Sequence, residues 1–183
     1  MLCYACLRPG PLLCETCSRS LAAAPPRMVG GSLVVRGAFV HDGLARRLVH
    51  DLKYRALARP AQALAPAMAA RLPTGTTALV PVPRSMVRRL RLGVDPGLEL
   101  ALAVGGRTGL RVDRALAPPL WQARHAGKGR DRRSPVCFAA RRPARPGTVI
   151  VDDVLTTGAT LVAAHRALGP GVIGAVTATS AGV

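Results

Sequence analysis

The sequence predicts an α/β fold, a parallel sheet flanked by helices, with a small cysteine module at its amino terminus. Three observations carry this. Short apolar runs alternate with stretches of helical periodicity along most of the 183 residues, as in chains of βαβ units. Thr148-Val149-Ile150-Val151 is β-branched throughout and too short for a helix, so it reads as a strand buried on both faces. Four of the five cysteines fall in the first 17 residues as Cys3-x-x-Cys6 and Cys14-x-x-Cys17.

Each Cys-x-x-Cys pair forms a tight knuckle that presents two thiolates to one tetrahedral metal at about 2.3 Å. Two knuckles complete a Cys₄ site of Cys3, Cys6, Cys14 and Cys17, with Pro9-Gly10-Pro11 turning the chain between them. The segment is too short to fold by apolar burial, so structural zinc is expected to supply its folding energy. A disulfide pairing lacks a secretion signal, and a thioredoxin-type motif lacks its strand–helix context. Cys137 stands apart and reads as a small buried residue.

Ala22 to Pro26 reads as a linker, dividing a zinc ribbon with its linker (residues 1–26) from a second domain (27–183). Ser32 to Val40 has the pattern of a strand or hairpin arm. From about Gly43 to Ala58, Leu44, Leu48 and Leu52 recur at helical spacing with Val49 beside them, and Arg46, Arg47, Lys53 and Arg55 on the other face read as solvated. Pro60 breaks that helix and starts another, ending near Leu72. Thr77 to Val80 is a short buried strand closed by Pro81-Val82-Pro83-Arg84. A helix follows from about Pro96 to Val104, then a third strand within Leu110 to Ala115. Pro118 to Pro146 is basic, proline-bearing and irregular. Val172 to Thr179 is the last strand.

With 49% hydrophobic residues, disorder is excluded for most of the chain. No apolar stretch is long enough to span a membrane without a charge or a proline. No basic start is followed by an apolar run, so a cytoplasmic location is expected. The formal net charge is +17, and every basic residue but Lys53 and Lys128 is arginine. That balance suits a polyanion, either a nucleic acid or a phosphorylated ligand. A coding bias toward Arg, Ala, Gly and Pro accounts for it equally well. Aromatic residues are only 3% of the chain, which excludes an extended base-stacking platform and leaves Tyr4, Tyr54 and Trp121 as isolated stacking candidates.

The segment from Thr148 to Thr160 is the most informative. Two adjacent carboxylates, Asp152 and Asp153, stand where the apolar strand is expected to end. A hydroxyl-rich turn follows (Thr156, Thr157, Gly158, Ala159), then a helix from about Thr160 to Leu168. Strand, acidic pair, Thr/Gly loop and helix N-terminus make a site for a sugar phosphate. Loop amides and the positive helix end hold the phosphate. The carboxylates accept hydrogen bonds from a ribose diol or face a bound Mg²⁺.

This segment resembles the phosphoribosyl-pyrophosphate (PRPP) signature of the type I phosphoribosyltransferases. The resemblance implies that Asp152 and Asp153 contact the ribose hydroxyls and that Thr156 through Thr160 wrap the 5′-phosphate. With the cysteine knuckles in place, the chain is similar nearly end to end to the ComF/GntX-type proteins, a zinc ribbon fused to a phosphoribosyltransferase domain. Leu52-Lys53-Tyr54 resembles that family's Leu-Lys-Tyr motif, and Pro81-Val82-Pro83 its Pro-Val-Pro strand end, the pyrophosphate loop. Gln122 and Arg130 fall at the spacing of its Gln and Arg before the signature, and Phe138 matches an apolar position. Where the family commonly has Arg-Gly-Phe-Asn-Gln, this chain reads Leu92-Gly93-Val94-Asp95-Pro96, so the second-substrate side differs. Pro119 and Arg133 replace a usual Thr and Asn.

The resemblance implies the type I phosphoribosyltransferase fold, PRPP with Mg²⁺, and a role in natural competence, handling incoming single-stranded DNA. Arg84 is the first candidate for the pyrophosphate and Lys53 the second, with Gln122 and Arg130 as lid contacts. Three classes of function remain open: a transferase with an unidentified acceptor base, a PRPP-gated binder of single-stranded DNA, and an adaptor whose zinc ribbon docks a DNA-uptake helicase. No general base announces itself, since His41, His50, His125 and His165 are scattered.

Overall fold

The computed structural model describes residues 1–55, 58–118 and 137–182; Trp121, Gln122 and Arg130 lie outside them. The β-branched and apolar runs form strands β1 (Arg27–Val29), β2 (Leu33–Val40), β3 (Ala78–Pro81), β4 (Arg111–Val112), β5 (Leu116–Ala117), β6 (Ala139–Ala140), β7 (Thr148–Leu155) and β8 (Val172–Ser180). The larger sheet has the order β1-β2-β8-β7-β3-β4. Only β1 runs antiparallel to its neighbour, and the other pairings are parallel. β5 and β6 form a separate antiparallel pair. The expected parallel sheet flanked by helices is therefore present.

The pleat of β7 explains why this sheet must be covered on both sides. Val149 and Val151 pack with Leu48, Leu52, Leu64, Leu100 and Val104, whereas Ile150 packs with Leu161, Ala164 and Leu168. Successive side chains of a strand face opposite ways, so β7 divides two cores. On one side lie helices α2 (Gly43–Tyr54), α3 (Arg59–Ala69) and α5 (Pro96–Thr108); on the other lies α6 (Ala159–Leu168). The short helices α1 (Glu15–Arg19) and α4 (Met86–Leu92) complete the set.

Helix boundaries follow local chemistry. Leu48, Val49 and Leu52 of α2 are fully buried, as their spacing requires. Proline occupies the first turn of α3 and of α5, where its missing N–H leaves no bond unmade. α5 ends on Gly109 at φ 74°, a left-handed C-cap. α6 follows Gly158 at φ 81°, where an added Cβ would also lie 2.6 Å from Val29 Cγ1.

The structure corrects several expectations. β7 does not end before the acidic pair but runs through it to Leu155, because its pairing with β8 continues through Asp152–Thr177, Val154–Thr179 and Leu155–Ser180. The segment read as a linker is packed: Ala24 is buried, and the Val40 N–H donates to the Ala22 carbonyl at 2.8 Å. The strand expected within Leu110 to Ala115 contracts to β4. Cys137 is exposed, since it precedes the two-residue edge strand β6 and enters no core. No helix among the described residues is long and apolar enough to cross a membrane.

α5 approaches the sheet so closely that Gly97 has no room for a side chain: an added Cβ would lie 2.5 Å from the Val82 carbonyl oxygen. Gly106, in the same helix, meets nothing within 4 Å. Gly97→Ala is expected to cost about 1–3 kcal/mol in denaturant unfolding, while Gly106→Ala is expected to be neutral or to stabilise by up to about 1 kcal/mol.

Candidate functional site

The carboxyl ends of the parallel strands are where an α/β sheet opens to ligands, and a cleft of about 440 Å³ lies there. That volume is within the range of small-molecule sites, roughly 300–1,000 Å³. β7 contributes Asp152, Asp153 and Val154; the turn after it contributes Thr156, and α6 contributes Thr160. The segment after β3 brings Val82, Pro83, Arg84 and Ser85, and the start of α5 brings Asp95, Pro96 and Gly97. Lys53 and Tyr54 enter from the end of α2, His41 from just beyond β2, and Phe138 from just before β6.

Two helices thus begin at the cleft, and neither end is capped by a side chain. Helix N-termini carry partial positive charge and orphan N–H groups, so both favour an anion. Thr156 and Thr160 stand at the α6 end. Thr157, Gly158 and Ala159 complete the turn without lining the cleft; Gly158 is buried, and Thr157 and Ala159 are exposed.

The acidic pair divides its work. Asp153 Oδ1 lies 3.0 Å from Lys53 Nζ, an ion pair with both side chains largely shielded. Lys53 is therefore not part of a solvated helix face: the last turn of α2 aims it into the cleft, where Asp153 compensates its charge. Asp152 Oδ1 accepts the Asp153 backbone N–H at 2.8 Å. Burial, reinforced by the Asp153 charge, holds the Asp152 carboxyl well above the usual carboxylate range. The same backbone N–H and Lys53 oppose that rise without cancelling it.

Arg84 lies on the cleft wall, but its Nη1 donates to the carbonyls of Lys53 at 3.1 Å and Val94 at 3.4 Å. Its backbone N–H donates to Asp95 Oδ2 at 3.3 Å. It consequently ties the loop after β3 to α2 and to the approach to α5, besides lining the cleft. Ser85 and His41 were not singled out in the sequence. His41 follows β2 directly, and the rule that parallel strands present ligand-facing residues at their carboxyl ends would have found it. His41 Nδ1 and Thr179 Oγ1 share a hydrogen bond of 2.7 Å. Burial first, then the charges of Lys53 and Arg46, lowers the His41 pKa below the ordinary imidazole value.

The four amino-terminal cysteines come together, their sulfurs all within 4.8 Å of one another. Cys6 Sγ and Cys14 Sγ are 3.7 Å apart, against about 3.8 Å for two corners of a tetrahedron with 2.3 Å Zn–S bonds. The backbone N–H of Cys14 bonds Cys3 Sγ at 3.4 Å, the main cause of a Cys3 pKa lowered to about 6. A hydrogen bond with the Cys14 thiol is foremost in raising Cys17 to about 12. The Cys3 thiol is thus disposed to ionise and the Cys17 thiol to resist, a conflict that a bound dication would relieve. The cluster could hold a metal ion and is compatible with structural zinc.

No family model matches the chain, and no curated protein matches it.

The raised Asp152 pKa fixes the sign of a stability change. A carboxyl whose folded pKa lies above its unfolded value stabilises fully below the unfolded value and loses that contribution as pH rises through the folded value. At pH 7, where an unfolded Asp is ionised, the burial of Asp152 is a burden on the fold. Asp152→Asn is therefore expected to raise the melting temperature at pH 7, by about 2–4 °C for each ~1 kcal/mol relieved. At pH 3, where Asp152 is already protonated, calorimetric melting should show no such gain.

Proposed function

We propose that the cleft binds PRPP together with Mg²⁺, and that the chain is a ComF-like protein of the phosphoribosyltransferase type acting in DNA uptake, where it handles single-stranded DNA in the cytoplasm. One observation carries the ligand reading: the acidic pair, Thr156 and Thr160, and the uncapped starts of α5 and α6 all line one cleft at the carboxyl ends of β3 and β7. A phosphorylated sugar needs this combination. Anionic ends require N–H donors and cations, and a diol requires carboxylate acceptors. In this pose Thr156, Thr160 and the α6 end take the 5′-phosphate, Asp152 and Asp153 the ribose hydroxyls, and Lys53 and Arg84 the pyrophosphate side. Asp95, Asp152 and Asp153 are the cleft carboxylates suited to Mg²⁺, which would neutralise the leaving pyrophosphate.

A second reading, transfer of the ribose 5-phosphate to an acceptor base, is favoured by His41. Its depressed pKa keeps a neutral imidazole in the cleft, able to take the proton lost as the C1–N bond forms and the C1–O bond to pyrophosphate breaks. The single-stranded DNA partner is supported by the +17 charge. A DNA-uptake helicase docked through the cysteine module is the remaining partner proposal.

Calorimetric titration with PRPP and MgCl₂ is expected to show binding at about micromolar Kd, near −8 kcal/mol. Asp152→Ala combined with Asp153→Ala should weaken it by two orders of magnitude or more. A flat wild-type titration sinks the ligand reading. Affinity for a single-stranded oligonucleotide should fall with salt at a log–log slope of about −0.7 for each phosphate neutralised, and a slope of zero removes the DNA partner.

A further inference from the structure

The cysteine cluster is remote from the cleft in sequence, yet it is bonded to the helix that walls it. Tyr4, lying between Cys3 and Cys6, donates from its hydroxyl to Asp51 Oδ2 at 3.0 Å. Asp51 is 4% exposed and belongs to the last turn of α2. Two further bonds hold that turn: the Lys53 carbonyl accepts from Arg84 at 3.1 Å, and Lys53 Nζ reaches Asp153 at 3.0 Å. On the far side of the α2–α3 junction, Arg59 Nη2 donates to the Leu2 carbonyl at 3.1 Å. The cluster therefore grips the chain on both sides of the point where α2 gives way to α3.

We infer that Tyr4 and Asp51 are positioning residues of the cleft: the metal-held knuckle fixes the last turn of α2 and thereby sets where Lys53 stands against Asp153 and the bound sugar phosphate. This rests on the PRPP reading above. The physical reason is that a lysine is a point charge on a flexible stem, useful to a ligand only when the backbone beneath it is held. Asp51 also faces Arg55 at 3.3 Å and His50 at 3.7 Å, but both belong to α2 or its cap and move with it. Among the described residues, Tyr4 is the partner that ties Asp51 to a part of the chain outside α2 and its cap. The tie is as firm as the knuckle, whose order comes from its metal. Metal and sugar phosphate then bias one shared element, and each must strengthen the other's binding by the same factor.

The test uses the full zinc-loaded chain and PRPP titrated calorimetrically with Mg²⁺ present. Tyr4→Phe keeps the ring and all four cysteines. It is expected to weaken PRPP roughly tenfold, within the usual range of coupling between sites, while zinc content stays at that of the wild type. Asp51→Asn, measured alongside a thermal melt, should give a similar drop and guards against misfolding of the first variant. Adding Tyr4→Phe to Lys53→Met should cause no further loss if Tyr4 acts through Lys53. Saturating PRPP should raise the chelator concentration needed to extract half the zinc by about the factor that metal removal costs PRPP. If the wild type binds PRPP and Tyr4→Phe binds it equally well, or chelation ignores PRPP, the coupling is refuted and the ligand reading stands. If the wild type does not bind PRPP, both fall.

Discussion

Two carboxylates adjacent in sequence, at the end of a strand buried on both faces, would repel each other intolerably if they shared one environment. The partners each one takes make their environments different, although both line one cleft. Asp153 meets Lys53, from the last turn of α2, at 3.0 Å. Asp152 takes a backbone N–H instead of a cation. One acid is thus compensated by a cation, while burial and the neighbouring charge raise the pKa of the other. The arrangement depends on continuous pairing of β7 with β8 past both residues. Ending the strand at Val151 would free both side chains to turn outward into water.

The remaining walls follow from this strand. α5 can begin at the cleft only because Gly97 lets it settle against the Val82 carbonyl. α6 can begin there because Gly158 makes a left-handed turn against Val29. The two glycines bring two helix ends to one place, adding fixed positive potential where Lys53 and Arg84 already stand. Electrostatics that no single element could supply are assembled from backbone geometry.

Much of this was legible in the residues. The β-branched run at Thr148 to Val151, the leucine spacing of α2 and the doubled Cys-x-x-Cys are short-range signals. They appear as β7, α2 and the sulfur cluster. The misses share one cause. The extension of β7 beyond Asp153 is decided by β8, so composition alone placed its end too early. Lys53 lies on the polar side of its own helix, and only the sheet's carboxyl edge reveals that this side faces a cleft. His41 and Ser85 belong to no motif and acquire meaning from strand ends brought together by crossovers. The short elements β1 and α4 carry too few residues for periodicity to register. Tyr4 bonds across 47 positions, a separation no local pattern encodes.

The order β1-β2-β8-β7-β3-β4 has a consequence for how the sheet is made. β8 follows every other strand in the chain, yet it lies between β2 and β7 and pairs with both over most of its length. Until Val172 to Ser180 has left the ribosome, β2 lacks its partner on one side and β7 on the other. During synthesis the nascent chain holds two halves, each with an open edge, and closure of such distant pairings is slow. An arginine at Arg36 within β2 and the acids at the end of β7 lie along those temporarily bare edges. Charges of this kind discourage a waiting strand from pairing with another chain. The two acids that line the cleft thus also guard an unfinished sheet.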